Sequence, residues 1–236
     1  MGHFLTASTI GLLAGSLLAL FFFTVDLTPL GASWEAEELD LLLRTYLAIA
    51  GLIFGLVSVF VVYAAVAFRR RQPGEHGAAF QRHPLFVRGW IVVTTLLVLV
   101  SAADAIVVLD KIFGPRVGYA QTELEVRVIG AQWSWKFEYP EYGISTNELV
   151  LERDRPVLFR LTSKDVVHSF FVPEFRMKQD ALPGVETQMR VVPTTVGQWR
   201  ALCAELCGLA HSAMAAPVRV VEPAAFQQWL AAQQKP

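Results

Sequence analysis

The sequence predicts a membrane-anchored α + all-β protein, in which transmembrane helices are followed by a β-sandwich or Greek-key barrel. Three observations point there. Phe4–Val25, Tyr46–Phe68 and Trp90–Leu109 are long apolar runs, and Asp104 is the one charged residue in any of them. Each meets the roughly 20 residues that a helix needs to cross a hydrocarbon core. After Gly114-Pro115 the pattern changes to short alternating runs separated by turn residues, the signature of antiparallel β architecture. The chain thus reads as a membrane domain over residues 1–113, with helices at about 4–25, 46–68 and 88–110, and an outer domain over 114–236.

The loops set the orientation. Arg69, Arg70, Arg71, Arg82 and Arg88 lie between the second and third runs, which places that loop in the cytoplasm. Asp26, Glu35, Glu37, Glu38 and Asp40 lie between the first two, against Arg44, and place that loop outside. The outer domain is therefore extracytoplasmic. The first run has two readings. Leu30-Gly31-Ala32 could end a signal peptide. However, the segment before the run has no Lys or Arg, and the run exceeds a usual signal-peptide core of about 7–15 residues, so a retained helix is expected. Asp104, an acid inside an apolar helix, lies about 8 Å from the outer end of its run at 1.5 Å per residue. An acid in that setting marks a functional site by default; here it is expected to reach the interface or pair with a partner subunit, with a proton-handling role as the alternative.

In the outer domain, Leu124, Val126 and Val128 alternate with charged residues, a period of two. Trp133, Trp135, Phe137 and Tyr139 alternate with Ser134, Lys136 and Glu138. Further strands are expected at 156–162, 168–172, 186–192, 198–203 and 217–221, and one helix begins at Pro223. The net charge of −1 gives no reason to expect a nucleic-acid partner.

The chemistry is concentrated in Cys203–Met214, CAELCGLAHSAM. It holds both cysteines of the chain, with His211 and Met214 at short spacing. Upstream, His168 is the only other histidine in the outer domain. Thiolate, imidazole and thioether form a soft donor set that suits copper better than magnesium or calcium. Two Cys, two His and a nearby Met are enough for a two-metal thiolate site. A Cys203–Cys207 disulfide, a structural Cys₂His₂ zinc site and a Met214 that merely fills the core are the alternatives.

The motif C-x-E-x-C-G-x-x-H-x-x-M, with V-V-H-S-F and K-Q-D-A-L-P-G upstream, resembles subunit II of the haem–copper cytochrome c oxidases, which carries a binuclear copper A centre. The resemblance covers the second and third apolar runs and the whole outer domain. It implies a cupredoxin-like Greek-key fold for that domain. It also implies that Cys203 and Cys207 bridge two coppers, that His168 and His211 each bind one, and that Met214 and the Glu205 carbonyl are weak ligands. The Glu205 carboxylate would help hold a magnesium or manganese ion at the contact with the catalytic subunit. Trp133, in A-Q-W-S-W-K-F-E-Y, matches the aromatic run through which electrons enter from cytochrome c or another small redox carrier, with Trp135 in the core. Lys178-Gln179-Asp180 would sit near the copper site or a subunit contact. The implied partners are the catalytic haem–copper subunit I, other oxidase subunits and membrane lipid. The implied location is a bacterial inner membrane, crossed more than once, with the copper domain on the periplasmic or extracellular side.

Two positions depart from the family pattern. Val87 stands where many members carry a glutamate three residues before the tryptophan, here Trp90, so no proton uptake is expected there. Lys164 precedes Asp165 where a second acid would favour a basic donor.

The chain itself carries electron transfer and no oxygen-reducing site. The second reading keeps the copper centre and makes the partner a haem–copper nitric oxide reductase. A copper-delivery protein is disfavoured because its sites are usually exposed and rich in Met and His. Quinol oxidase subunit II lacks the copper ligands, all of which are filled here. Nitrous oxide reductase usually has an aromatic residue in place of Glu205 and does not span the membrane.

Overall fold

The computed structural model describes residues 2–70, 72, 83–114 and 123–234. Arg71, His76, Arg82 and Pro115 lie outside the described residues. The chain divides into two units, one of residues 1–27 with 41–111 and one of residues 28–40 with 112–236.

The first unit is helical. α1 (Gly2–Thr24), α2 (Trp34–Ala67) and α3 (Pro84–Phe113) are each long and apolar enough to cross a membrane. Helices satisfy all their backbone hydrogen bonds internally, which the hydrocarbon core demands. α1 and α2 meet through small residues. A Cβ added at Gly15 would lie 2.5 Å from the Leu52 carbonyl oxygen, and one at Gly55 would lie 2.5 Å from the Gly15 Cα. Gly11 and Gly15 are spaced four apart, as are Gly51 and Gly55, so backbones can approach closely on matching faces. Near the other end of the pair, His3 Nδ1 lies 2.8 Å from the Tyr63 hydroxyl.

Asp104 has a polar partner. Tyr46 Oη on α2 lies 3.2 Å from Asp104 Oδ2 and 2.9 Å from the Ser101 carbonyl oxygen.

α2 starts twelve residues before the apolar run begins. Ser33 caps it, with Oγ accepting from the Ala36 N–H at 3.1 Å. Glu35 and Glu37 in the first turn complement the positive end of the helix dipole. The segment around this start is built into the β unit. Ala32 and Ser33 are fully buried. Ala32 N–H donates to Glu174 O, and Trp34 N–H donates to Val192 O. The buried Glu35 carboxylate accepts from the Val192 N–H at 3.0 Å, and Arg176 pairs with Asp40 through two nitrogens at 2.8 and 3.0 Å. Acids that read as a solvated outer loop are thus partly structural. Because α1 packs on α2 by a matched glycine face, and Ala32-Ser33 is buried, α1 is expected to be retained in the mature protein. Amino-terminal sequencing checks this; a start at Ser33 would mean that α1 is removed.

The second unit is a two-sheet β-sandwich. Its strands are β1 (Leu124–Ala131), β2 (Ser134–Tyr139), β3 (Ile144–Thr146), β4 (Leu149–Glu152), β5 (Val157–Ser163), β6 (His168–Val172), β7 (Met177–Ala181), β8 (Thr187–Val191), β9 (Gly197–Cys203) and β10 (Ala215–Val221), with α4 (Pro223–Gln233) closing the chain. One sheet has the order β3-β2-β1-β5-β8 and the other β4-β10-β9-β6-β7. β1 and β5 pair in parallel, as do β4 and β10, while their other neighbours are antiparallel. Crossing connections of this kind make the sandwich a Greek-key type.

Alternation in sequence becomes alternation in burial. In β1, Leu124, Val126 and Val128 are fully buried while Arg127 is exposed. Trp135, Phe137 and Tyr139 of β2 face the core with Phe159 and Phe170. Trp135 meets Phe170 edge-on at 5.5 Å. Side chains of this size contribute roughly 1.5–3 kcal/mol each on full burial. Trp133 departs from the expected alternation. It precedes β2, in the turn after β1, and is 39% exposed.

Tyr139 fixes β4 to this core. Its hydroxyl donates to Val150 O at 2.9 Å and accepts from Val150 N–H at 2.8 Å. Tyr139→Phe would leave both backbone groups without that partner inside the sandwich. It is expected to lower stability by about 1–3 kcal/mol, visible as a lower melting temperature of the purified protein.

Candidate metal centre

The site forms where three connections meet at one end of the sandwich: the β1–β2 turn, the β5–β6 connection and the loop from β9 to β10. β6 and β9 are antiparallel neighbours, with Phe170 opposite Cys203 and Phe171 opposite Leu202. This pairing brings His168, at the start of β6, to Cys203, at the end of β9. The Ala204 N–H donates to Ser169 O at 2.9 Å and extends the pairing. The loop is closed at its base, since Cys203 N–H donates to Met214 O at 3.1 Å. Its far side is a tight turn in which His211 N–H donates to Gly208 O and Met214 N–H to His211 O.

The donor atoms face one another. Cys203 Sγ and Cys207 Sγ are 3.8 Å apart, far beyond the roughly 2.05 Å of a disulfide, and both thiols are free. Cys203 Sγ lies 3.8 Å from His168 Nδ1 and 3.2 Å from the Glu205 carbonyl oxygen. Cys207 Sγ lies 3.6 Å from His211 Nδ1 and 3.8 Å from Met214 Sδ. Each sulfur therefore has one imidazole nitrogen and one weaker donor beside it. His168 and Met214 are buried to within 1% of full coverage, and Cys203 and Cys207 are 9% and 3% exposed. The Glu205 side chain is exposed. Burial, reinforced by Cys203, pushes the Cys207 thiol up to about 11. A thiol raised in this way, as Cys207 is, keeps its proton unless a cation comes beside the sulfur.

Neighbouring groups hold the donors in place. Asp165 Oδ1 lies 2.8 Å from His168 Nε2, leaving Nδ1 for the sulfur side. Its Oδ2 accepts from the Gln132 N–H at 2.7 Å and its Oδ1 from the Val166 N–H at 2.7 Å. Burial works to raise the Asp165 carboxyl, but the Gln132 N–H, His168 and the Val166 N–H outweigh it and bring it down to about 2. Gln132 also reaches the loop, its Nε2 donating to Cys207 O at 2.7 Å.

Two glycines make room. A Cβ at Gly130 would lie 2.9 Å from His168 Cδ2. A Cβ at Gly208, whose φ is +121°, would lie 2.9 Å from Gln132 Nε2 and 3.4 Å from the Trp133 ring. Trp135 meets His168 edge-on at 5.9 Å.

The fold brings His168, Cys203, the Glu205 carbonyl, Cys207, His211 and Met214 into one cluster. Trp133 lies against the loop at Gly208. Lys178, Gln179 and Asp180 fall on the edge strand β7, where Asp180 pairs with Ser169 and Gln179 with Phe170. Gln132, Gly130 and the Asp165–His168 contact carry no sequence motif of their own. Only the adjacency of Gln132 to Trp133, and of Asp165 to His168, hinted at them.

Residues 144–221 match the family model described as cytochrome c oxidase subunit II, periplasmic domain. The chain is 35% identical to cytochrome c oxidase subunit 2 of Thermostichus vulcanus over 186 residues, covering 74% of this chain and 56% of that protein. It thus spans little more than half of that relative's length. It is 33% identical to haem–copper oxidase subunit 2 of Aeropyrum pernix over 224 residues, covering 86% of this chain and 90% of that one. A crystal structure of the periplasmic domain of cytochrome oxidase subunit II from Bradyrhizobium japonicum matches 51% of this chain and 96% of its own, at 28% identity and a TM-score of 0.46. With a β-sandwich over the matched residues, three apolar helices before it, and a relative covered over nine-tenths of its length, the chain belongs to the cytochrome c oxidase subunit II family.

Proposed function

We propose that this chain is the electron-transfer subunit of a haem–copper terminal oxidase. It accepts electrons from cytochrome c or a similar carrier at a binuclear copper A centre and delivers them to haem in the catalytic subunit. The observation that carries this reading is the paired arrangement of donors. Two thiols 3.8 Å apart are each flanked by an imidazole nitrogen and a weaker donor within 3.2–3.8 Å. This is a set for two soft metal ions of similar surroundings, unlike a single tetrahedral zinc site.

When bound, the coppers supply one-electron redox capacity. The protein's residues hold that capacity in place. Cys203 and Cys207 would hold the coppers as thiolates between them, with His168 and His211 as the imidazole donors and Met214 and the Glu205 carbonyl as the weak ones. Asp165 fixes the His168 ring through Nε2. The closed loop base at Cys203 and Met214 keeps the donors from rearranging when charge changes. Trp133, half-exposed and lying against Gly208, is where electrons enter. The exposed Glu205 carboxylate is the group we assign to a magnesium or manganese ion at the contact with the catalytic subunit. The outer domain lies on the periplasmic or extracellular side, since its preceding helix follows the arginine-bearing loop and such loops stay in the cytoplasm.

Rapid mixing of the purified oxidase with reduced cytochrome c tests the role. The near-infrared band of the copper site is expected to bleach before haem absorbance changes. Haem reduction that precedes or accompanies the bleach at an equal rate would contradict electron entry through this chain.

A further inference from the structure

Away from its glycine contact, the α1–α2 pair does not close. Around Gly15 and Gly55 the backbones approach so closely that neither position has room for a Cβ. Toward the end of the pair that holds His3, the contact passes to large rings. Phe4 meets Phe60 with ring centres 5.9 Å apart, and His3 meets Phe68 at 5.3 Å. Two apolar grooves run along the pair there. The walls of one, about 410 Å³, include Phe4, Ala7, Phe60, Tyr63 and Ala64. The walls of the other, about 420 Å³, include Ile10, Val59, Val62, Tyr63 and Val66. Residues three and four apart share a helix face. Val59, Val62 and Val66 therefore form one strip of α2, Phe60 and Ala64 form the next, and Tyr63 stands between them.

An empty groove would forgo the dispersion contacts of its lining atoms, and an apolar one holds no water. A neighbouring helix, about 10–12 Å across with its side chains, would ride over Tyr63. Two acyl chains of one lipid can pass on either side of it.

The polar groups at this end fit the rest of such a lipid. α2 ends at Ala67, and the exposed Arg69 and Arg70 follow. Arg70 Nε donates to Gln72 O at 3.0 Å, and neither guanidinium meets a carboxylate among the described residues. Basic residues at the cytoplasmic end of a membrane helix attract anionic lipid headgroups, and the arginine-bearing loop belongs on that side. One polar pair lies just inside these charges. His3 Nδ1 is 2.8 Å from the Tyr63 hydroxyl, and Tyr63 is about 6 Å along the axis from Ala67 at 1.5 Å per residue. The order is cations, then a hydrogen-bonding pair, then two apolar grooves. A phospholipid presents phosphate, ester carbonyls and two acyl chains in the same order.

We propose that this end of the α1–α2 pair binds one anionic diacyl phospholipid, with an acyl chain in each groove and the phosphate at Arg69 and Arg70. The site is independent of the metal centre. The bound lipid fills the opening beyond the glycine contact and holds α1 to α2 there.

Native mass spectrometry of the purified complex, released from nanodiscs of equal parts phosphatidylglycerol and phosphatidylcholine, tests this. The wild type is expected to retain one phosphatidylglycerol on this chain, preferred over phosphatidylcholine by about tenfold or more, as two arginines beside an anionic headgroup provide. Arg69→Gln/Arg70→Gln is expected to lose that preference, while Arg71, Arg82 and Arg88 remain to keep the loop in the cytoplasm. Ala64→Trp, which fills one groove and leaves the arginines, is expected to lose the lipid itself. Ala65→Trp, exposed on α2 and outside both grooves, is expected to match the wild type. All are compared in complexes that keep every subunit. Wild-type lipid retention in both the double arginine variant and Ala64→Trp would overturn the assignment, as would an equal loss in Ala65→Trp. A wild-type complex with no phosphatidylglycerol on this chain would also overturn it. So would loss of the preference on adding inorganic phosphate, which would assign the arginines to the free ion.

Discussion

Cys203→Ser is expected to abolish the signature of an electron shared between two coppers and to reduce bound copper from two per chain to about one. The reason lies in how the donors divide. Cys203 is the sulfur beside His168 and the Glu205 carbonyl, and Cys207 is the sulfur beside His211 and Met214. A serine oxygen is a hard, weakly acidic donor and does not replace a bridging thiolate for copper. Cys207, His211 and Met214 remain together, a thiolate–imidazole–thioether set close to that of mononuclear blue-copper sites. The variant is therefore expected to show the four-line pattern of one copper nucleus. Survival of the shared-electron pattern in Cys203→Ser would mean that Cys203 does not bridge.

The second large effect is expected at a residue that touches no metal in this account. Asp165→Ala removes the acceptor at His168 Nε2 and, with it, the link to the Gln132 N–H. The imidazole then loses what fixes its ring orientation and keeps Nδ1 turned to Cys203. Removing such supporting partners typically costs about 10–100-fold in metal affinity, and that range is expected for copper retention against a chelator. Asp165→Asn keeps an acceptor oxygen and a similar shape, and is expected to recover most of the loss. Equal damage in the two variants would indicate a disturbed connection and no specific hold on His168. Because Asp165 is exposed, a change in melting temperature alone would not distinguish these cases; the chelator competition does.

These two residues mark how far the sequence could be read. The membrane helices were legible because length and hydropathy are enough for them. The strands within 124–139, 157–172 and 187–221 were legible where burial is one-sided and produces a period of two. β7 was not, because Lys178, Gln179 and Asp180 at a sheet edge break the alternation. β3 and β4 are too short to set up a pattern.

The ligand loop could be recognised from its twelve residues, and His168 followed from being the other outer histidine. Its closeness to Cys203 is a property of β6 lying beside β9, which spacing along the chain does not reveal. Asp165 read as a surface acid that could meet a donor, yet the fold turns it inward to His168. Glu35 and Asp40 read as charges of a solvated loop, yet one accepts from the Val192 N–H and the other pairs with Arg176. Side chains whose partner is distant in sequence carry no local signal, so composition marks them as surface. Trp133 shows the reverse case. Its place in an alternating aromatic run suggested one shared face with Trp135, but the turn before β2 leaves it half-exposed at the ligand loop.

The central claim is a two-copper thiolate centre on this chain. Its most direct test is electron paramagnetic resonance of the full-length protein, purified in its complex, loaded with copper and assayed for metal content. Two coppers per chain at this site and a seven-line hyperfine pattern are expected, the pattern of one unpaired electron shared equally by two copper nuclei. One copper per chain with a four-line pattern, or no copper held by His168, Cys203, Cys207 and His211, would contradict it.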